Sequence, residues 1–171
     1  LSYKLLRFIN SSYFYRINKI ESVRHAVVYL GNRELRRFIS LVIISEIASD
    51  KPQELVRLAL VRAKFLELLV QKKETKEQSG ELFLLGLFSL LDAMLDTDMN
   101  TISSRLPLSD KVRDALVQKS GTLAPFLSAL LCYENRDKPG CLAALKTAGI
   151  RPPDVAPTYL EAIKFARSIL S

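Results

Sequence analysis

The chain is 171 residues long, 49% apolar and 25% charged, with a net charge of +7. Those values suit one soluble globular domain with a sizeable core, and exclude a disordered or low-complexity segment. Cys132 and Cys141 are its two cysteines and form no closely spaced pair, which excludes a disulfide scaffold and a cysteine-based zinc site and fits a reducing compartment.

The N-terminus, LSYKLLRFIN, is amphipathic rather than continuously apolar, so no signal peptide is visible in it. It starts without Met and already inside a helix that ends near Asn10, so the chain is expected to be a piece of a longer protein. Ser22 caps a second helix whose stripe is Val23, Ala26, Val27 and Leu30, with Gly31 as its stop. Asn32 caps a third, running to about Ser49, with Leu35, Phe38, Ile39 and Val42 inside. Arg33, Arg36 and Arg37 share its outer face at i, i+3 and i+4. Pro52 opens a fourth, from Gln53 to about Gln71, carrying Leu55, Leu58, Ala59, Arg62, Phe65, Leu66 and Leu69.

Residues 71–80, QKKETKEQSG, are polar and aperiodic and are expected to be a mobile loop. Residues 80–95, GELFLLGLFSLLDAML, are apolar on every side and are expected to form one central buried helix. The run is too short to cross a bilayer, which takes about 20 residues. A short helix follows Asp98, Pro107 breaks the chain, and Ser109 caps the next element. Thr122 and Pro125 open a helix reaching about Glu134, Pro139 begins one ending at Gly149, and Pro157 to about Leu170 forms the last. No alternating β pattern and no internal repeat is present. The expectation is a single compact all-α domain over 1–171, a bundle of about eight to ten helices.

The excess charge lies in the first half. Residues 1–37 hold eight Lys/Arg against two Asp/Glu, whereas residues 81–171 hold ten of each. A one-sided basic surface favours an acidic partner.

Two stretches carry a family resemblance: LLRFINSSYF (5–14) with ESVRHAVVYLGNRELRRFISL (21–41), and GLFSLLDAML (86–95). Together they resemble the HDOD domain, a degenerate relative of the HD phosphohydrolases. ELVRLALVRAKFLELL, LPLSDKVRDAL and ALLCYEN add a likeness to the subgroup in which an EAL domain precedes the HDOD domain. Residues 138–171 are less diagnostic. The resemblance implies an HD-like helical bundle, a bacterial cytoplasmic protein and a regulatory role. It also implies a missing N-terminal EAL domain that hydrolyses or binds cyclic di-GMP.

An HD phosphohydrolase holds its metal through several His and Asp side chains, because neutral imidazoles and carboxylates bind the cation that activates water. By the resemblance, the adjacent His-Asp pair falls here on Ser89 and Leu90, and the stretch VRLALVRAKF (56–65) lacks the relatives' upstream His. The sole histidine, His25, lies about 200° round its helix from Val23, away from the apolar stripe. No catalytic residue, metal ligand or cofactor is therefore expected. Asp92 with Arg62 is expected to be a structural ion pair, and Gly86 to permit close helix approach.

Three readings follow. The first is a non-catalytic signalling domain that contacts a protein partner or its own EAL domain through Arg33, Arg36 and Arg37, without inserting in a membrane. The second is nucleic-acid binding through the same basic region, although no exposed recognition helix or aromatic stripe supports it. The third is residual metal-dependent phosphohydrolase activity, for which the ligands are missing.

Overall fold

The computed structural model describes residues 53–72, 78–106 and 108–170. The helices expected before Gln53, with His25 and the Arg33/Arg36/Arg37 face, lie outside the described residues, as do residues 73–77 of the expected 71–80 loop. Within them the all-α expectation holds: eight α-helices, one π-helical turn, one short 3-10 segment and no strand.

The first described helix, α1 (Gln53–Gln71), has the bounds its start signal gave. Every residue from Ala59 to Glu67 is buried, because α2 (Ser79–Phe88) packs along one side and α8 (Val155–Leu170) along another. Among the described residues α1 is therefore as deeply enclosed as residues 80–95, the stretch that the sequence reading set at the centre of the domain. Arg62, Lys64 and Glu67 concealed the burial of α1 by lowering its apparent hydropathy. Burial is tolerable because the charges are paired. Lys64 Nζ lies 2.9 Å from Glu67 Oε2, with both side chains 2% exposed, and 5.2 Å from the centre of the Phe165 ring.

Residues 80–95 are buried as expected, with Leu82, Phe83, Leu85 and Leu87 in the core. They are not one helix, however. α2 stops at Phe88 and α3 spans Leu91–Leu95. At the break, the Gly86 carbonyl accepts both the Ser89 amide (3.3 Å) and the Ser89 hydroxyl (2.7 Å). A side-chain bond of this kind competes with the helical ladder, and Leu90, at φ −122°, leaves it. α2 also begins at Ser79, so the end of the expected loop is helical. Gly86 has the packing role expected of it: a Cβ there would lie 2.5 Å from both the backbone C and O of Arg62. Its absence lets α2 rest on the main chain of α1.

The remaining elements follow their caps. Asp98 accepts the Thr101 amide at 2.9 Å and opens α4 (Met99–Arg105). Ser109 caps α5 (Asp110–Arg113), which runs into the π turn Asp114–Gln118. α6 (Ala124–Glu134) has Pro125 in its first turn. Asp137 accepts the Gly140 amide at 3.0 Å to open α7 (Lys138–Ala148), which packs against α6 and ends at left-handed Gly149 (φ 68°). The 3-10 segment Pro152–Asp154 then turns the chain into α8, which returns to α1.

Candidate functional site

Arg62 lies in the stretch where the resemblance places a histidine, and Ser89 where it places the first member of the missing His-Asp pair. The fold brings them together. Arg62 Nη1 donates to Ser89 Oγ at 3.1 Å, while that hydroxyl donates onward to the Gly86 carbonyl. The rest of the guanidinium faces α6. Its Nε lies 3.2 and 3.1 Å from the two carboxylate oxygens of Glu134, and its Nη2 2.6 Å from Oε2. The planar fork matches the carboxylate, and the side chains are only 10% and 15% exposed, so solvent screens the pair weakly.

The contact crosses helices for reasons local to each. Arg62 sits on the α2-facing side of α1, opposite Gly86, and the break after Phe88 leaves the Ser89 hydroxyl beside the guanidinium. Glu134 is the last residue of α6, where the chain turns toward α7. From α8, the Tyr159 hydroxyl donates to Glu134 Oε1 at 3.3 Å. Its ring packs edge-on against Phe65 (5.3 Å between centres) and against Tyr133 (5.0 Å). Burial, then the charge and hydrogen bond of Glu134, push the Tyr159 phenol up to about 12. It stays protonated, and so remains a donor, across the physiological range. Residues from α1, the α2–α3 break, α6 and α8 thus meet in one polar latch.

The expected Asp92–Arg62 pair is not formed. Asp92 is exposed on α3, where its carboxylate accepts the amide of the adjacent Ala93 at 2.9 Å. The break at Ser89–Leu90 sets α3 off the line of α2, and Arg62 takes Glu134 instead. Leu90 is half-buried and packs against the core.

These residues do not fit a divalent cation. Both oxygens of Glu134 are engaged by Arg62, and the Ser89 oxygen already holds a guanidinium proton. A cationic side chain thus takes up the negative charge that would attract an ion. Among the described residues no three His, Cys, Asp or Glu come together in a way that could hold a metal. The cysteines offer no activated nucleophile either. Cys132 and Cys141 are free thiols whose pKa values are raised by burial first and by nearby Asp137, so at neutral pH they stay protonated.

Beside the latch a cavity of about 790 Å3 opens between α6, α7 and the start of α8, with Glu134 and Tyr159 in its wall. Glu134 and Tyr159 were missed by sequence reasoning. The one available signal was a carboxylate closing the apolar run PFLSALLCYE. Among the described residues no helix is long and apolar enough to cross a membrane.

Comparison with known proteins bears on the same elements. The sequence profile of the HDOD domain matches residues 1–96, which contain Arg62 and Ser89 but not Glu134 or Tyr159. Over 169 residues, 99% of this chain, the sequence is 40% identical to cyclic di-GMP phosphodiesterase CdgJ of Vibrio cholerae serotype O1, covering 39% of that protein. It is 29% identical to the uncharacterized protein YuxH of Bacillus subtilis strain 168, over 99% of this chain and 42% of that protein. The chain therefore spans about two fifths of the length of these relatives. No solved structure matches it.

Proposed function

The chain belongs to the HDOD domain family, and from that footing we propose that it is a non-catalytic regulatory domain of bacterial cyclic di-GMP signalling. It works in the cytoplasm by contact with a protein partner or with an EAL domain of its own polypeptide. The observation that carries this reading is the Arg62 guanidinium, bonded to Ser89 and neutralised by Glu134, where the resemblance would put the ion-binding pair of an HD phosphohydrolase. A site built this way can transmit a shift between helices, since four segments share its hydrogen bonds, but it lacks the ligands that would generate a metal-bound nucleophile.

The Vibrio relative is named for cyclic di-GMP hydrolysis, and this chain corresponds to 39% of it. We assign that hydrolysis to the remainder of such a protein and regulation to the part represented here. The docking residues in this reading are Arg33, Arg36 and Arg37, supported by their i, i+3, i+4 spacing and by the charge excess confined to the first half of the sequence.

Co-purification of this chain with the portion of the Vibrio protein outside the match tests the assignment. The wild type is expected to form a complex at low salt, and the triple reversal R33E/R36E/R37E to lose it. A complex indifferent to reversal would remove the arginine face from the account, and no complex with the wild type would remove docking altogether.

A further inference from the structure

The cavity beside the latch has a composition that the docking reading does not use. Its volume, about 790 Å3, falls within the roughly 300–1,000 Å3 of small-molecule sites. Leu58 of α1, Leu145 of α7, Val155 of α8 and the rings of Tyr133 and Tyr159 make its walls largely apolar. Burying an apolar ligand surface against such walls is favourable in proportion to the area removed from water.

The charged groups at its edge are unevenly satisfied. Glu134 is neutralised by Arg62. The Asp137 carboxylate accepts the Gly140 amide and stands beside the Cys132 thiol. Arg136, in the turn after α6, and Lys138, the first residue of α7, stand on either side of Asp137, line the same cavity and are exposed. Neither side chain makes a hydrogen bond or ion pair within the described protein. Arg136 is held by its backbone instead, in a left-handed conformation (φ 59°) with its amide on the Tyr133 carbonyl at 3.2 Å. The lining therefore presents an apolar hollow with two unanswered cations at its mouth.

We infer that this cavity is a binding site for a small amphiphilic anion: an apolar body in the hollow and one carboxylate or phosphate head against Arg136 and Lys138. Two cations two residues apart, one on each side of Asp137, can share one oxyanion through charge-assisted hydrogen bonds. Because Glu134 and Tyr159 belong to both the cavity wall and the latch, an occupant touches the groups that hold Arg62 in place. The site stands whether or not the arginine face docks a partner.

Titration calorimetry of the purified chain with octanoate, octyl phosphate and octan-1-ol, each below its aggregation limit, tests the inference. At least one of the two anions is expected to bind one molecule per chain. Lys138→Glu should weaken it about tenfold. Lys146→Glu, which removes the same charge from the exposed last turn of α7, should leave it unchanged and so controls for net charge. Ala156→Trp, which fills the hollow from an exposed position in the first turn of α8, should abolish it while circular dichroism stays that of a folded helical protein. Octan-1-ol binding as tightly as both anions, equal loss in the two lysine variants, or binding that survives Ala156→Trp would overturn the inference, as would no binding of either anion.

Discussion

Replacing Arg62 with methionine is expected to lower the unfolding free energy by about 3 kcal/mol, because it leaves the Glu134 carboxylate largely buried without its counter-charge. Part of the stem's packing is kept by the methionine, so most of the loss is electrostatic. Glu134→Gln alone should cost about 2 kcal/mol, since the amide can still accept one of the guanidinium bonds. The double variant should be more stable than the sum of the two losses implies, with a coupling of about 2 kcal/mol. Urea unfolding followed by circular dichroism measures all three. Additive losses would mean that the close pairing of the two groups carries no energy, and the latch would be decorative.

Gly86→Ala should be the second large effect. The added methyl would lie 2.5 Å from the carbonyl carbon and oxygen of Arg62 and 2.6 Å from the Ala63 amide nitrogen. These are backbone atoms inside a buried helix and cannot rotate away, so α2 must move off α1. A loss of about 3 kcal/mol is expected, the upper range for overpacking, which for a chain of this size lowers the melting temperature by about 6–12 °C. The favourable helix propensity of alanine recovers at most about 1 kcal/mol of this. An unchanged melting temperature would mean that the helices are not in contact at Gly86. The same displacement draws Ser89 away from Arg62, so packing at Gly86 and the polar latch should fail together.

The parts of this fold that sequence could supply are those decided within a few residues. Asp98 and Ser109 opened helices because a side-chain oxygen satisfies an amide two or three positions on, and the α1 bounds followed from Pro52 and the end of its apolar spacing. The interruption at Ser89 was hidden because an apolar run reads as continuous helix, while a single hydroxyl bonded to the Gly86 carbonyl is enough to help divert the chain. The burial of α1 was hidden for a related reason: hydropathy favours α2, whereas α1 buries three charges, Arg62, Lys64 and Glu67, that lower its apparent hydropathy.

Partner choice was the least legible feature. Asp92 lies three residues from Ser89 in sequence, and Glu134 is 72 residues from Arg62, yet the second reaches the guanidinium and the first faces solvent. Local spacing cannot rank two carboxylates whose positions depend on how α3 is set off α2 and where α6 ends. Likewise the cavity draws its walls from α1, α6, α7 and α8, and no one segment carries a sign of it.

The central claim is that a guanidinium has taken over the part of an ion, leaving a domain that regulates but does not cut phosphate esters. Its most direct measurement is release of nitrophenolate from bis(p-nitrophenyl) phosphate by the purified chain, with and without Mn2+. The account predicts the rate of buffer alone under both conditions. Mn2+-dependent release above that rate, lost in Glu134→Gln, would contradict it.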